Sequence, residues 1–284
     1  MNQGRCLCGS VQYEVEGAFF AVANCHCSMC RKHHGAPYVT WVVVPSANYR
    51  LTAGADSIGR YESSPGTHRA FCRRCGSVTP ETTPSGEHVV VPAGNLEGDL
   101  PRPQLHMFVK DKAPWYVIAD QLPQHEQWPP EYGMQPVTRE PVRAVSEPGV
   151  HGSCLCGAVA YAVDAAPLRF MYCHCSRCRL ARSAAHAANL FYPLEAFQWL
   201  RGAELVTEYA LPGAQRFGVA FCSRCGSGVA RPSPARNVVL VPAGSLDDEP
   251  GMAPEAHIFV DSRASWDVLG PDGIPRFAEL PPGP

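Results

Sequence analysis

The amino-acid sequence predicts a mainly β protein built from two tandem, metal-held domains related by internal duplication. Three observations predict it. The chain repeats itself in one order, the repeats consist largely of alternating or β-branched runs closed by Pro or Gly, and 14 cysteines recur at the same spacings in each copy.

The repeat is read directly from the chain. At an offset of 148 residues, GRCLCGSVQYEV (4–15) meets GSCLCGAVAYAV (152–163), and CHCSMCRKHHG (25–35) meets CHCSRCRLARS (173–183) without a gap. Two residues are then inserted, after which AFCRRCGS (70–77) meets AFCSRCGS (220–227) and VPAGNLEGD (91–99) meets VPAGSLDDE (241–249). Further on, His106-Met107-Phe108-Val109 meets His257-Ile258-Phe259-Val260, and Trp115 meets Trp266. The expected organisation is a first domain over 1–126, a Pro-rich and charged linker over 127–150, and a second domain over 151–284. The duplication leaves open whether the halves pack as an intramolecular pseudo-dimer.

Within each copy the local signals are those of strands. SVQYEVE and AVAYAVD alternate at period two, YVTWVVVP and HVVVPAG are β-branched runs, and 28 Pro and 25 Gly punctuate the chain. Helix is scarce. The best candidate is the Ala-rich stretch RLARSAAHAANLF, predicted as a helix over 179–191.

Composition excludes several classes of function. A formal charge of -2 and a pI near 6.6 provide no basic surplus for nucleic acid or an anionic membrane surface. The longest apolar run near the N-terminus, Val39–Val44, is interrupted by Thr40 and is too short to span a bilayer. A soluble cytoplasmic protein acting on small molecules is expected, and in that compartment many cysteines imply metal ligation. Seven cysteines per copy also argue against disulfides, because pairing within a copy would always strand one.

The cysteines sort into two kinds of site. Cys6 and Cys8, Cys72 and Cys75, and in the second copy Cys154 and Cys156, Cys222 and Cys225, form pairs followed by glycine. Glycine lets the chain turn so that backbone N–H groups point at sulfur, and two such pairs make one closed four-cysteine site. The triads Cys25, Cys27, Cys30 and Cys173, Cys175, Cys178 are followed by Arg31 and Arg179. Three ligands with an open fourth position are the pattern of catalytic zinc. Cysteine-only ligation leaves mainly zinc and iron–sulfur clusters, and zinc is the expectation here, up to four ions per chain.

Other residues complete the inventory. In an extended Cys-His-Cys segment His26 and His174 point away from the triads, whereas His106 and His257 recur in both copies as secondary ligand candidates. His33 and His34 face Ala181 and Arg182 across the repeat. Arg31, Lys32, Arg179 and Arg182 are either solvated or held ready for a substrate carboxylate. Trp115 and Trp266 read as core or rim aromatics, and VPAG reads as a strand ending in a turn.

Taken together, G-x-C-x-C-G-x-V-x-Y, C-H-C-S-x-C-R, F-C-x-x-C-G-S, H-x-F-V and the following Trp resemble the glutathione-dependent formaldehyde-activating enzyme family, also called the CENP-V/GFA domain. The resemblance spans both halves. It implies a β-tent fold with structural zinc on the four-cysteine sets and catalytic zinc on the triads. It implies carbon–sulfur lyase chemistry, the reversible joining of glutathione and formaldehyde as S-(hydroxymethyl)glutathione, with a small-molecule thiol and aldehyde as partners. Arg31 and Lys32 are the candidates for the glutathione carboxylate. The second copy departs from the pattern, reading CRLARSAA where the first reads CRKHHGA, so glutathione chemistry is expected of the first copy. The alternatives are a non-catalytic zinc scaffold or thiol carrier, and a redox or metal sensor using the triad thiolates.

Overall fold

The structure, a computed structural model, describes residues 1–132 and 149–282. Most of the expected linker, 133–148, lies outside the described residues.

The first copy consists of β1 (Asn2–Arg5), β2 (Gln12–Val15), β3 (Ala21–Cys25), α1 (Ser28–His34), β4 (Val39–Pro45), β5 (Tyr49–Ala53), β6 (Ile58–Ser64), β7 (Thr67–Cys72), β8 (Val78–Thr79), β9 (Glu81–Thr82), β10 (His88–Pro92), β11 (His106–Met107) and β12 (Gln124–His125). The second runs β13 (Val150–Ser153), β14 (Ala160–Val163), β15 (Arg169–Cys173), α2 (Ser176–Arg182), β16 (Ala187–Pro193), β17 (Phe197–Arg201), β18 (Val206–Ala210), β19 (Gly218–Cys222), β20 (Arg231–Ser233), β21 (Val238–Pro242) and β22 (Ala256–Ile258). The fold is mainly β, as the alternation predicts. Each copy has a small sheet, β1-β2-β5 or β13-β14-β17, and a larger one, β12-β11-β3-β4-β10-β9 or β20-β21-β16-β15-β22. β7 pairs with β6 and β8, and β18 with β19.

The predicted helix over 179–191 is corrected. α2 ends at Arg182, and Ser183 takes the left-handed cap at φ 50°, its hydroxyl donating to Val78 O at 3.1 Å. From Ala187 the chain is β16, paired on one side with β15 and on the other with β21. Burial in the middle of a sheet overrides the helix preference of alanine. α1, the matching helix in the first copy, is capped by Gly35 at φ 63°.

The cores are shared between the copies. Trp266 is buried among Tyr13, Tyr38, Val42 and Leu96 of the first copy, and Trp115 lies 5.3 Å from Phe170 of the second. The helices are exchanged in the same sense. Leu180 and Ala181 of α2 pack against Cys6, Cys72 and Cys75, and Met29 of α1 packs against the core that holds Cys154, Cys222 and Cys225. Ser77 ties the first of these contacts, its Oγ accepting from Leu7 N and donating to Leu180 O.

The VPAG segments do more than turn. After β10 and β21 the chain forms a single 3-10 turn, Ala93–Asn95 or Ala243–Ser245, which lies on the helix end of the opposite copy. A Cβ on Gly94 would stand 2.3 Å from Ala184 N, and one on Gly244 would stand 2.5 Å from Ala36 N. Both neighbours are backbone and cannot swing aside. Gly94→Ala and Gly244→Ala are each expected to cost about 1–3 kcal/mol through overpacking of the joint. A thermal melt of either variant that matches the parent would contradict this contact.

Candidate metal and active sites

The closed sites form because each glycine-terminated pair is a tight turn. Gly9, Gly76, Gly157 and Gly226 have φ of 73–74°, the left-handed region that glycine enters without a Cβ clash. The turn aims Val11 N at Cys6 Sγ and Val159 N at Cys154 Sγ, both at 3.3 Å. Cys6, Cys8, Cys72 and Cys75 are thereby gathered into one group, and Cys154, Cys156, Cys222 and Cys225 into another. Sulfur separations are 3.4 Å for Cys6–Cys8, 3.7 Å for Cys8–Cys72, 3.4 Å for Cys154–Cys156 and 3.9 Å for Cys156–Cys222. Four sulfurs each about 2.3 Å from a tetrahedral zinc stand about 3.8 Å apart, so the donor set fits such an ion.

Electrostatics agree with a cation at the centre. Hydrogen bonds with Cys72, Cys75 and Cys8 drive Cys6 far above the ordinary thiol range, whereas those with Cys6 and Cys72 pull Cys8 far below it. The four thiols thus hinder one another's ionisation. A divalent cation would supply the charge that lets all four ionise.

Each triad is assembled where a central strand meets a helix. Cys25 ends β3 and Cys173 ends β15; Cys27 and Cys175 are the N-caps, each accepting a 3.4 Å bond from the backbone of Cys30 or Cys178 in the first turn. The three ligand atoms of each triad lie within 4.8 Å of one another. Among the described residues, neither triad gathers a fourth Cys, His, Asp or Glu into its group. His26 and His174 turn away, bonding instead to His106 and His257 at 2.8 Å. Those two histidines reach on to Asp120 and Asp272, so neither joins a cysteine cluster.

The basic residues after the first triad are placed differently from the sequence expectation. Lys32 lies in the joint between the copies, its Nζ 2.7 Å from Asp247 and donating to Ser153 O and Oγ and to Ser245 O. Arg31 donates from Nε to Asp111 O. In the second copy Arg179 donates to Gly94 O and Leu96 O, and Arg182 accepts a 2.8 Å bond at its carbonyl from His34 Nδ1. Lys32 is therefore engaged and not free for a substrate carboxylate. Lys32→Ala would leave Asp247 buried without its partner, a change that costs about 3–5 kcal/mol. The expected result is a markedly lower melting temperature, largely recovered when Asp247→Ala is added. No recovery in the double variant would mean that the pair is not the source.

A side-chain hydrogen bond to the first triad comes from Arg69, which sequence reasoning missed. Its Nη1 lies 3.7 Å from Cys30 Sγ and its Nε donates to Ser63. Burial works against its charge, but the neighbouring Cys30 and Cys27 sulfurs outweigh burial and hold its pKa above the ordinary value. The aligned residue in the second copy is Val219. The Arg-to-Val difference within HRAFC against GVAFC was the available signal.

The model of the family described as "Glutathione-dependent formaldehyde-activating enzyme" matches residues 1–111 and again 149–262. The chain belongs to this family. A putative glutathione-dependent formaldehyde-activating enzyme of Halomonas elongata is 31% identical over 126 residues, covering 41% of this chain and 80% of that protein. An uncharacterized lyase of Schizosaccharomyces pombe is 25% identical over 76 residues, covering 27% of this chain and 53% of its own length. A crystal structure of a Rhodobacter sphaeroides protein aligns at 32% identity and a TM-score of 0.30, covering 35% of this chain and 91% of that one. Two family matches on one chain account for the two sets of cysteine groups.

The two triads of this family member have different surroundings. The first is packed by Leu105, Met107, Phe108 and Trp128, with Trp128 edge-on to Phe108 at 4.9 Å. Trp128 falls at the start of the expected linker, so that stretch begins against the site. The second is packed by Phe217, Ile258, Phe259 and Phe277, with Arg177 held over the Phe217 ring. No helix among the described residues is long and apolar enough to cross a membrane.

Proposed function

We propose that this chain is a zinc-dependent carbon–sulfur lyase that joins and releases glutathione and formaldehyde at S-(hydroxymethyl)glutathione, with the first triad as the working site. The observation that carries the reading is a cluster of three thiols, Cys25, Cys27 and Cys30, that takes no fourth ligand from the described residues and has a permanent cation, Arg69, beside it. The four-cysteine groups are assigned structural zinc. Zinc bound at the triad would stabilise a thiolate and polarise an aldehyde oxygen.

The chain's own residues do the rest. In the forward direction the glutathione sulfur bonds to the aldehyde carbon, and the thiol proton ends on the oxygen; release reverses both changes. Arg69 favours an anionic thiol at the first triad and takes the substrate-facing role expected of Arg31 and Lys32. Phe108 and Trp128 limit water around the triad, which strengthens that charge interaction. Val219, aligned with Arg69, can make no such hydrogen bond in the second copy, in keeping with chemistry at the first.

Two-dimensional exchange NMR on glutathione and formaldehyde tests the reading. The zinc-loaded protein should accelerate interchange between free formaldehyde hydrate and the glutathione adduct. Glutathione binding with no acceleration would instead make the protein a thiol carrier.

A further inference from the structure

Among the described residues, one buried group of metal-ligating side chains outside the cysteine groups is left unused by the proposed function. His174, His186 and Asp267 are all buried, and their ligand atoms lie within 4.8 Å of one another. His174 Nδ1 is 3.3 Å from Asp267 Oδ2, and the His174 and His186 rings are 4.8 Å apart. His174 Nδ1, both ring nitrogens of His186 and Asp267 Oδ2 have no hydrogen-bond partner. Buried polar atoms left in this state are costly and call for an occupant.

Proton bookkeeping identifies the charge of that occupant. Asp272 Oδ2 is 2.7 Å from His257 Nε2, so the carboxylate fixes a proton on that nitrogen and leaves His257 Nδ1 an acceptor. His174 Nε2, 2.8 Å from that acceptor, must then be the donor. A neutral His174 consequently presents only a lone pair at Nδ1, 3.3 Å from a carboxylate oxygen. Two acceptors face each other, and the unpartnered His186 stands beside them.

In the first copy the same relay ends with no carboxylate facing it among the described residues. Asp120, His106 and His26 form an equivalent chain, and His26 ends it with an unpartnered Nδ1. The positions aligned with His186 and Asp267 are there Tyr38 and Tyr116, whose rings lie 5.3 and 5.7 Å from His26. Phenols can donate; a carboxylate cannot. The two copies thus differ at one spot, two phenols in the first against an imidazole and a carboxylate in the second.

We infer that His174, His186 and Asp267 form a binding site for a divalent first-row transition-metal ion, separate from the cysteine groups and confined to the second copy. Two imidazoles and one carboxylate are a recognised donor set for such ions. His257 and Asp272 stand behind His174 and orient its ring, as hydrogen-bonded partners do for metal-binding histidines. His186 and Asp267 also line a cavity of about 290 Å³ between the copies, together with Tyr38 and Tyr116. Open coordination positions would face that cavity, and the Tyr38 hydroxyl, 3.5 Å from Asp267 Oδ1, is placed to bond a metal-bound water. The inference is independent of the proposed function.

Cobalt(II) added to the zinc-replete full-length protein tests it. The expected result is uptake of about one further metal ion per chain, with visible d–d bands but no thiolate-to-cobalt charge-transfer band, since this donor set holds no sulfur. His186→Tyr, which installs the first copy's residue, and Asp267→Asn should each weaken that uptake at least about tenfold, because loss of even an outer partner has that effect. Zinc content and melting of the variants serve as the check on folding. Cobalt uptake equal in parent and variants, or accompanied by a thiolate charge-transfer band, would overturn the site. No uptake by the parent would overturn it too.

Discussion

Cys72→Ser protein is expected to lose cooperative melting in both halves, not only in the first. The substitution removes a thiolate from the four-cysteine group of the first copy, where metal ligation of this type is worth on the order of 10 kcal/mol to small zinc modules. The damage should spread because α2 rests on that group through Leu180, Ala181 and the Ser77–Leu180 hydrogen bond. α2 also carries Cys178, so the second triad should lose its metal affinity with it. Cys222→Ser should act reciprocally, since Met29 of α1 packs on the core around Cys222 and Lys32 is anchored on Ser153. Calorimetry and zinc content measured on both variants would decide the matter. A Cys72→Ser protein whose second half melts at its normal temperature with its metal intact would show that the copies are energetically separate.

Cys30→Ser is expected to give the opposite combination, a folded protein without activity. The triad lies at the start of α1, whose position is fixed by Lys32–Asp247, His34–Arg182 and the Gly244 contact, none of which needs the Cys30 sulfur. Melting should change little and the four-cysteine groups should retain their metal. Glutathione–formaldehyde exchange should fall by more than the roughly 10–100-fold that loss of a group behind a metal ligand costs. Cys178→Ser should leave most of the exchange intact, because Val219 stands where the first copy has Arg69. Arg69→Ala should then lower exchange in the first copy while both triads keep their metal. If Cys30→Ser unfolds the protein as fully as Cys72→Ser, the triad is a structural site and the division of seven cysteines into four and three is wrong.

Which parts of this arrangement were legible follows from the range over which each is determined. The duplication, the mainly β character, the paired and triple cysteines and the glycines beside the pairs are local patterns, and local spacing carries them. Gly9 and Gly76 could be read as turn residues because a C-x-C-G or C-x-x-C-G loop constrains its own backbone. The outward direction of His26 likewise follows from extended geometry within three residues. The helical signal runs past the end of α2 because Ala187–Phe191 owes its conformation to β15 and β21, not to its own propensity.

The remainder was settled only by tertiary structure. Lys32 looks like a substrate-facing cation until Asp247, more than two hundred positions away, is seen to hold it. Arg69 belongs to no motif and gains its role from the approach of β7 to the start of α1. Trp115 and Trp266 are legible as core or rim residues, but nothing in either copy says that each packs against the core of the opposite copy. By itself the sequence determined the repeat, its β character and which thiols have the spacing to bind together, since these depend on neighbours along the chain. Only the fold decided how the copies exchange helices and tryptophans, which cation stands at the first triad, and that His174 meets His186 and Asp267, since these depend on surfaces brought together across two copies.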